Sequence, residues 1–300
     1  MRNCPHYILI GLLLVLAVWA RRASDEVLRP PAPPANPARI VSLAPSITET
    51  LYALGLGHRV AGVTQFCAYP PEAREKPRVA GFSDVNYEAV LRLRPDLVVL
   101  PRDKERNAAE LENLGLPVLP LDALSLSGFM DAVALLGKAT GHEREAHALL
   151  ADLRDGLASA RRRAEGLPRP RVLFSVMHSY QGLGYITEIH AVGKDGFYSE
   201  LLAAAGGDNV YGGDIAFPRL SREAVIFLNP EVIIDIIPAS EDLEATRRDW
   251  RSLSSVSAIR NNRLHLFTDE GDSVPGPRSR RTLARLSRAL HPPCPRKGME

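Results

Sequence analysis

The sequence predicts an α/β protein built as two similar lobes with parallel sheets joined by a single long helix, and three observations carry that prediction. A stretch repeats: NYEAVLRLRPDLVV at residues 86–99 returns as SREAVIFLNPEVII at residues 221–234, 135 positions on (86 to 221). Short β-branched runs alternate with helical patterns on both sides of the chain's middle, as in sheets whose parallel strands are linked by crossover helices. Between the two copies, residues 142–165 place Ala146, Leu149, Leu150, Leu153, Leu157 and Ala160 on one face of a continuous helix.

In chain order, RIVSLA (39–44) reads as the first strand. Ser46 and Glu49 then have capping-box spacing for the helix ITETLYALG, which Gly55 or Gly57 ends. RVAGVT (59–64), DLVVL (96–100) and PVLPL (117–121) supply further strands of the first lobe. In both copies of the repeat a polar cap, Asn86 or Ser221, opens a short helix with a glutamate, Glu88 or Glu223, in its first turn. Each helix stops at a proline, Pro95 or Pro230, ahead of an acidic residue and a buried strand. A second match, ETLYALGLGHRVAG (49–62) with ELLAAAGGDNVYGG (200–213), runs at a wider offset. The extra residues fit a hairpin inserted around residues 181–196. RVLFSVM (171–177), EVIIDII (231–237) and RLHLFT (263–268) are the second lobe's strands.

The N-terminal run YILIGLLLVLAVWA (7–20), behind Arg2 and His6, has signal-peptide length and is short for a membrane span. The prolines of RPPAPPANP (29–37) forbid a continuous helix and make a tether. The chain therefore divides into a signal peptide or membrane anchor (1–20), a Pro-rich tether (21–38), an N-terminal lobe (39–125), a helical linker including the backbone helix (126–168), a C-terminal lobe (169–291) and a tail (292–300). Export, to the periplasm or to the outer face of the cytoplasmic membrane if the anchor is retained, permits a disulfide between Cys67 and Cys294. Their distance in sequence favours two free thiols.

With 300 residues, 45% hydrophobic, the chain is long enough for two cores, and a net charge of +2 gives no basic field for nucleic acid. No phosphate loop, dinucleotide fingerprint, nucleophile elbow or zinc-spaced cysteine pair occurs. His142 and His147, five apart on the linking helix, do not share a face. The expectation is no catalytic residue, no resident metal and no enzyme. His178 and Tyr180 follow the second lobe's first strand, at the carboxyl end of a sheet where ligands bind; a structural histidine is the other reading. Arg278, in VPGPRSRR, reads as a solvated surface residue, with pairing to an anionic ligand as the alternative.

Over residues 38–291 the chain resembles the periplasmic cobalamin-binding and ferric-siderophore-binding proteins of ABC importers, two Rossmann-like lobes on one backbone helix. The likeness rests on RIVSLAPSITETLYALGLG, AYPPEA (68–73), NYEAVLRLRPDLVV, and FPRLSREAV (217–225) followed by NPEVII. It is closest to the cobalamin-binding branch. The resemblance implies a monomer that binds a small-molecule metal chelate, a corrinoid in the first instance and a ferric siderophore or haem in the second, and delivers it to a permease and ATPase complex. It implies ligand contacts by Phe66, Phe82 and Phe217, and docking on the permease by Glu88 and Glu223; Pro101 stands where the family has a further aromatic. A membrane-tethered sensor that has lost transport is the competing reading.

Overall fold

The computed structural model describes residues 34–81, 84–179, 185–194, 196–238 and 240–292, with residues 177–179 described by backbone alone. The leader, most of the tether, Phe82, Tyr180, Cys294 and the tail beyond residue 292 lie outside the described residues. The N-lobe runs β1 (Ile40–Ser42), α1 (Pro45–Ala53), β2 (Val60–Thr64), β3 (Arg78–Ala80), α2 (Tyr87–Arg92), β4 (Leu97–Pro101), α3 (Glu105–Asn113), β5 (Val118–Leu121). Two linking helices follow, α4 (Leu126–Thr140) and α5 (Glu143–Ala164). The C-lobe runs β6 (Arg171–Ser179), β7 (Glu188–Ala191), α6 (Phe197–Ala204), β8 (Asp208–Asn209), β9 (Arg219–Ser221), α7 (Arg222–Leu228), β10 (Val232–Ile236), α8 (Leu243–Arg251), α9 (Ser257–Arg260), β11 (Leu264–Phe267), α10 (Ser279–Leu290).

The N-lobe sheet has the order β3-β2-β1-β4-β5 with every pairing parallel. Its central strands are buried along their length, which is why they read as unbroken apolar runs. The C-lobe sheet, β11-β10-β6-β7-β9, is parallel from β11 to β6, but β7 and β9 join antiparallel. Of that antiparallel edge only β7 falls in the segment 181–196, where the sequence predicts a hairpin; its partners are β6 before the segment and β9 well after it.

The repeat has a hydrogen-bonding basis. Asp96 accepts from the backbone N–H of Arg39 at 2.9 Å, and Glu231 accepts from that of Arg171 at 2.8 Å, so each acidic residue ties its strand to the first strand of its lobe. The same two arginines donate through their guanidinium groups to Leu93 O (2.7 Å) and Leu228 O (2.6 Å), holding the carboxyl ends of α2 and α7. The caps are as expected: Asn86 accepts from Ala89 N at 2.9 Å and Ser221 from Ala224 N at 3.2 Å.

The linking helix α5 spans 22 residues, roughly 33 Å at ~1.5 Å per residue. Gly141, at φ 71° in the left-handed region, turns the chain from α4 into it. Ala146, Leu150, Leu153, Leu157 and Ala160 are buried on one face, while Leu149 is only partly so. They belong to a single apolar cluster that runs from Ile40, Val60 and Leu97 of the N-lobe through α5 to Val172, Phe174 and Ile234 of the C-lobe. The two lobes therefore share a core.

Two C-lobe histidines give the fold a pH dependence. Burial pushes the pKa of His265 and of His291 below the ordinary imidazole value, with nearby arginines adding to the shift. A depressed folded pKa means stability that is present above the unfolded value of about 6.5 and lost as pH falls through the folded value. The unfolding midpoint should drop between about pH 7 and 5.5, and His265→Gln should flatten that slope in thermal scans. A slope that His265→Gln leaves unchanged would remove His265 from the account.

Candidate functional site

The carboxyl ends of the N-lobe strands open into a cleft of about 450 Å³. Leu43 and Ala44 follow β1, Thr64 ends β2 and Phe66 follows it, Pro101 ends β4, and Leu121 ends β5 with Asp122 to Leu124 after it; Pro275 closes it from the C-lobe side. This is where an open parallel sheet collects its ligand, because every strand delivers a loop to the same edge. Phe66 stands half-exposed in the turn after β2, with its backbone N–H bound to Thr64 Oγ1 at 3.3 Å. Its neighbour Cys67 is buried and turned inward, in contact with the hydroxyls of Thr48 and Thr64 at 3.1 and 3.2 Å. Arg102, Asp103, Lys104 and Glu105 give the cleft a charged rim of both signs.

Of the residues singled out by sequence, Phe66 and Pro101 lie in this wall. Phe217 is half-exposed just before β9 but does not line it. The backbone of His178 lies near the end of β6, in antiparallel register with Ile189. Glu88 and Glu223 both face solvent on their short helices, above Val90 and Val225, which are fully buried. Glu88 pairs with Arg92 at 2.7 Å. The Glu223 carboxyl is held below the usual carboxylate range by its own backbone N–H and by the Ser221 hydroxyl.

Two expectations need correction. Ser46 and Glu49 make no capping box: the cap position of α1 is Ala44, with Pro45 in the first turn and no side-chain cap. Ala44 has no side-chain oxygen to accept from the first-turn N–H groups, while Pro45 fits the first helical position because its missing N–H needs no partner. Glu49 instead points across the lobe boundary to Arg278, which is neither a solvated surface residue nor free for an anionic ligand. Arg278 Nε donates to Glu49 Oε2 at 2.8 Å and its terminal nitrogen to Oε1, with 4% of the glutamate and 10% of the arginine side chain exposed. Its guanidinium also stacks 4.0 Å above the Tyr69 ring and approaches Asp269 at 3.4 Å. Desolvation pushes the Glu49 pKa up in spite of its partner, a mark of the cost of burying the charge. Sequence offered no signal for this pair, because its members are 229 residues apart.

A second, larger groove of about 1120 Å³ lies on the other side of this ion pair, between the far half of α1, α5 and α10. Glu72, Glu75, Lys76, Arg280 and Arg281 line it, with Tyr52, His58 and Tyr69. It sits away from the strand ends and charged side chains make up about half of its wall, so the smaller cleft is the better site for an apolar ligand. Among the described residues no group of three or more His, Cys, Asp or Glu side chains is placed to hold a metal ion, and no helix is long and apolar enough to cross a membrane.

Comparison with known proteins adds four findings. A family model described as periplasmic binding protein matches residues 40–270. A cobalamin-binding protein of Halobacterium salinarum is 31% identical over 273 residues, covering 85% of this chain and 70% of that protein. Among solved structures, a periplasmic vitamin B12 binding protein of Vibrio cholerae superposes with a TM-score of 0.73 at 26% identity, covering 87% of this chain and 98% of its own. A periplasmic heme binding protein of Pseudomonas aeruginosa matches with a TM-score of 0.73 at 25% identity, covering 86% and 94%.

Proposed function

Because the chain belongs to the periplasmic binding protein family, we propose that it is the substrate-binding component of an ABC transporter, as the name of a Bacillus subtilis relative has it, and that its ligand is a corrinoid, held between the lobes and handed to a membrane permease. The observation that carries this reading is the apolar cleft at the strand ends with the exposed ring of Phe66 in its wall. A flat ring contributes buried area and offset stacking to a large macrocycle without demanding a hydrogen bond. The cobalamin-binding relative and the vitamin B12-binding structure support the choice of ligand. Phe217 completes the site from the C-lobe once a ligand spans the opening, and Phe82, His178 and Tyr180 supply further ligand contacts. Glu88 and Glu223 dock on the permease, one from each lobe. In this reading the protein is exported, acts as a monomer and performs no catalysis.

Haem is the second ligand to consider, on the strength of the heme-binding structural relative. The discriminating experiment is calorimetric titration of the purified full chain with cyanocobalamin, haem and a ferric hydroxamate. Cobalamin should bind one to one, and Phe66→Ala should weaken it by about tenfold or more, the equivalent of losing a partly buried aromatic contact. Tight haem binding with no heat from cobalamin would reassign the ligand. An unchanged affinity in Phe66→Ala would move the site elsewhere.

A further inference from the structure

The outward faces of the two repeat helices match in position and differ in chemistry. On α7, Glu223, Ile226 and Phe227 fall at i, i+3 and i+4 and so share one face, with Val225 buried beneath. On α2 the equivalent places, 135 residues earlier, hold Glu88, Leu91 and Arg92. Leu91 and Ile226 are equally exposed, at 39% and 40%. At the third place the lobes diverge: Arg92 turns back to pair with Glu88, whereas Phe227 stands 88% exposed. A single exposed apolar residue is ordinary on a protein surface. An exposed pair beside the outward glutamate, on the helix whose counterpart carries the matching glutamate, is a placed feature.

We infer that Ile226 and Phe227 form an apolar anchor on the C-lobe docking face, seated in an apolar recess on the outer surface of the permease. The inference rests on the reading of Glu88 and Glu223 as docking residues. The physical case is one of magnitudes. A solvent-exposed ion pair at an interface rim changes affinity by about fivefold or less, so two glutamates steer and orient the encounter but hold it weakly. Burying a phenylalanine removes a large apolar area from water and changes affinity by about ten- to a hundredfold. Apolar anchors ringed by polar groups are the usual energetic centre of protein interfaces. The acidic neighbours argue for a protein partner over a bilayer, because Glu223 beside Phe227 disfavours an anionic lipid surface.

The test measures association and dissociation rates of the full chain against its permease and ATPase complex in phosphatidylcholine nanodiscs. Wild type, Phe227→Ser, Phe227→Leu and the double variant Glu88→Ala with Glu223→Ala are compared, with empty nanodiscs as a further arm. Phe227→Ser should weaken binding at least tenfold, chiefly through faster dissociation, and Phe227→Leu should restore most of it. The glutamate variant should slow association in a salt-dependent way. All variants should keep the wild-type unfolding midpoint and cobalamin titration. If the glutamate variant weakens binding and Phe227→Ser does not, the anchor is wrong and docking stands. If neither weakens it, the docking reading itself falls. Binding to empty nanodiscs that Phe227→Ser removes would assign the side chain to lipid and overturn the inference.

Discussion

Arg278→Ala should cost about 3–5 kcal/mol of stability, because it strands a buried carboxylate without its partner. Glu49 keeps only 4% of its side chain exposed, and the guanidinium supplies both of the hydrogen bonds described for it across the lobe boundary. For a chain of this size the loss corresponds to roughly 6–20 °C in unfolding midpoint. Replacing both members at once, Glu49→Leu with Arg278→Met, should cost far less, since the pair's mutual attraction was largely offset by its desolvation. The single variant also has a pH signature. Without the arginine the Glu49 pKa rises further; a raised folded pKa means stability that is present at low pH and lost as pH rises through it. The deficit of Arg278→Ala should therefore shrink from about pH 8 to about pH 5. Denaturant unfolding at the two pH values checks this, and a loss that does not vary with pH would show that Glu49 does not carry the effect.

Trp250→Ala should cost a comparable amount, about 3–5 kcal/mol, by emptying the largest side-chain volume in the C-lobe core. Trp250 is fully buried on α8, in a cluster with Leu173, Ile189, Ile233, Leu253 and Val256. Its indole Nε1 donates to Asp235 Oδ2 at 2.7 Å, and Asp235 is fully buried in the middle of β10. Trp250→Phe separates the two contributions. It refills most of the cavity but removes one hydrogen bond to a buried carboxylate, at a cost of about 1.5–3 kcal/mol. Amide exchange should report the loss across β10 and β6, which pair in parallel register, before it reaches the N-lobe sheet. Equal loosening of both sheets would contradict the confinement of the Trp250 cluster to the C-lobe.

The parts of this molecule legible in its sequence were those set by short-range patterns. Buried parallel strands such as Leu97–Pro101 and Val232–Ile236 announce themselves as apolar runs, and α5 as a stripe of leucines at helical spacing. The caps at Asn86 and Ser221 were legible because a cap is a contact three residues away. The Ser46–Glu49 spacing carried the same local signal and misled, since Glu49 is claimed by a partner 229 residues distant and a proline already occupies the first helical turn. The three-residue strands β3 and β9 went unread because so few residues hold no periodicity to detect. For the cleft, the turn after β2 was legible through Phe66, whereas the contribution of Pro275 depends on tertiary closure that no local pattern encodes.

The apolar cluster that threads both lobes through α5 bears on how a transporter could tell a loaded carrier from an empty one. Two halves welded through common packing behave as a caliper of fixed gauge. Ligand entry can shift such a body only by the difference in its affinity for nearly identical shapes, which is small. Little order remains to be gained on binding, so the site is pre-organised and its selectivity is set by the dimensions of the gap. The outline of the protein should then hardly differ between its empty and occupied forms, and solution scattering profiles of the two should nearly superpose.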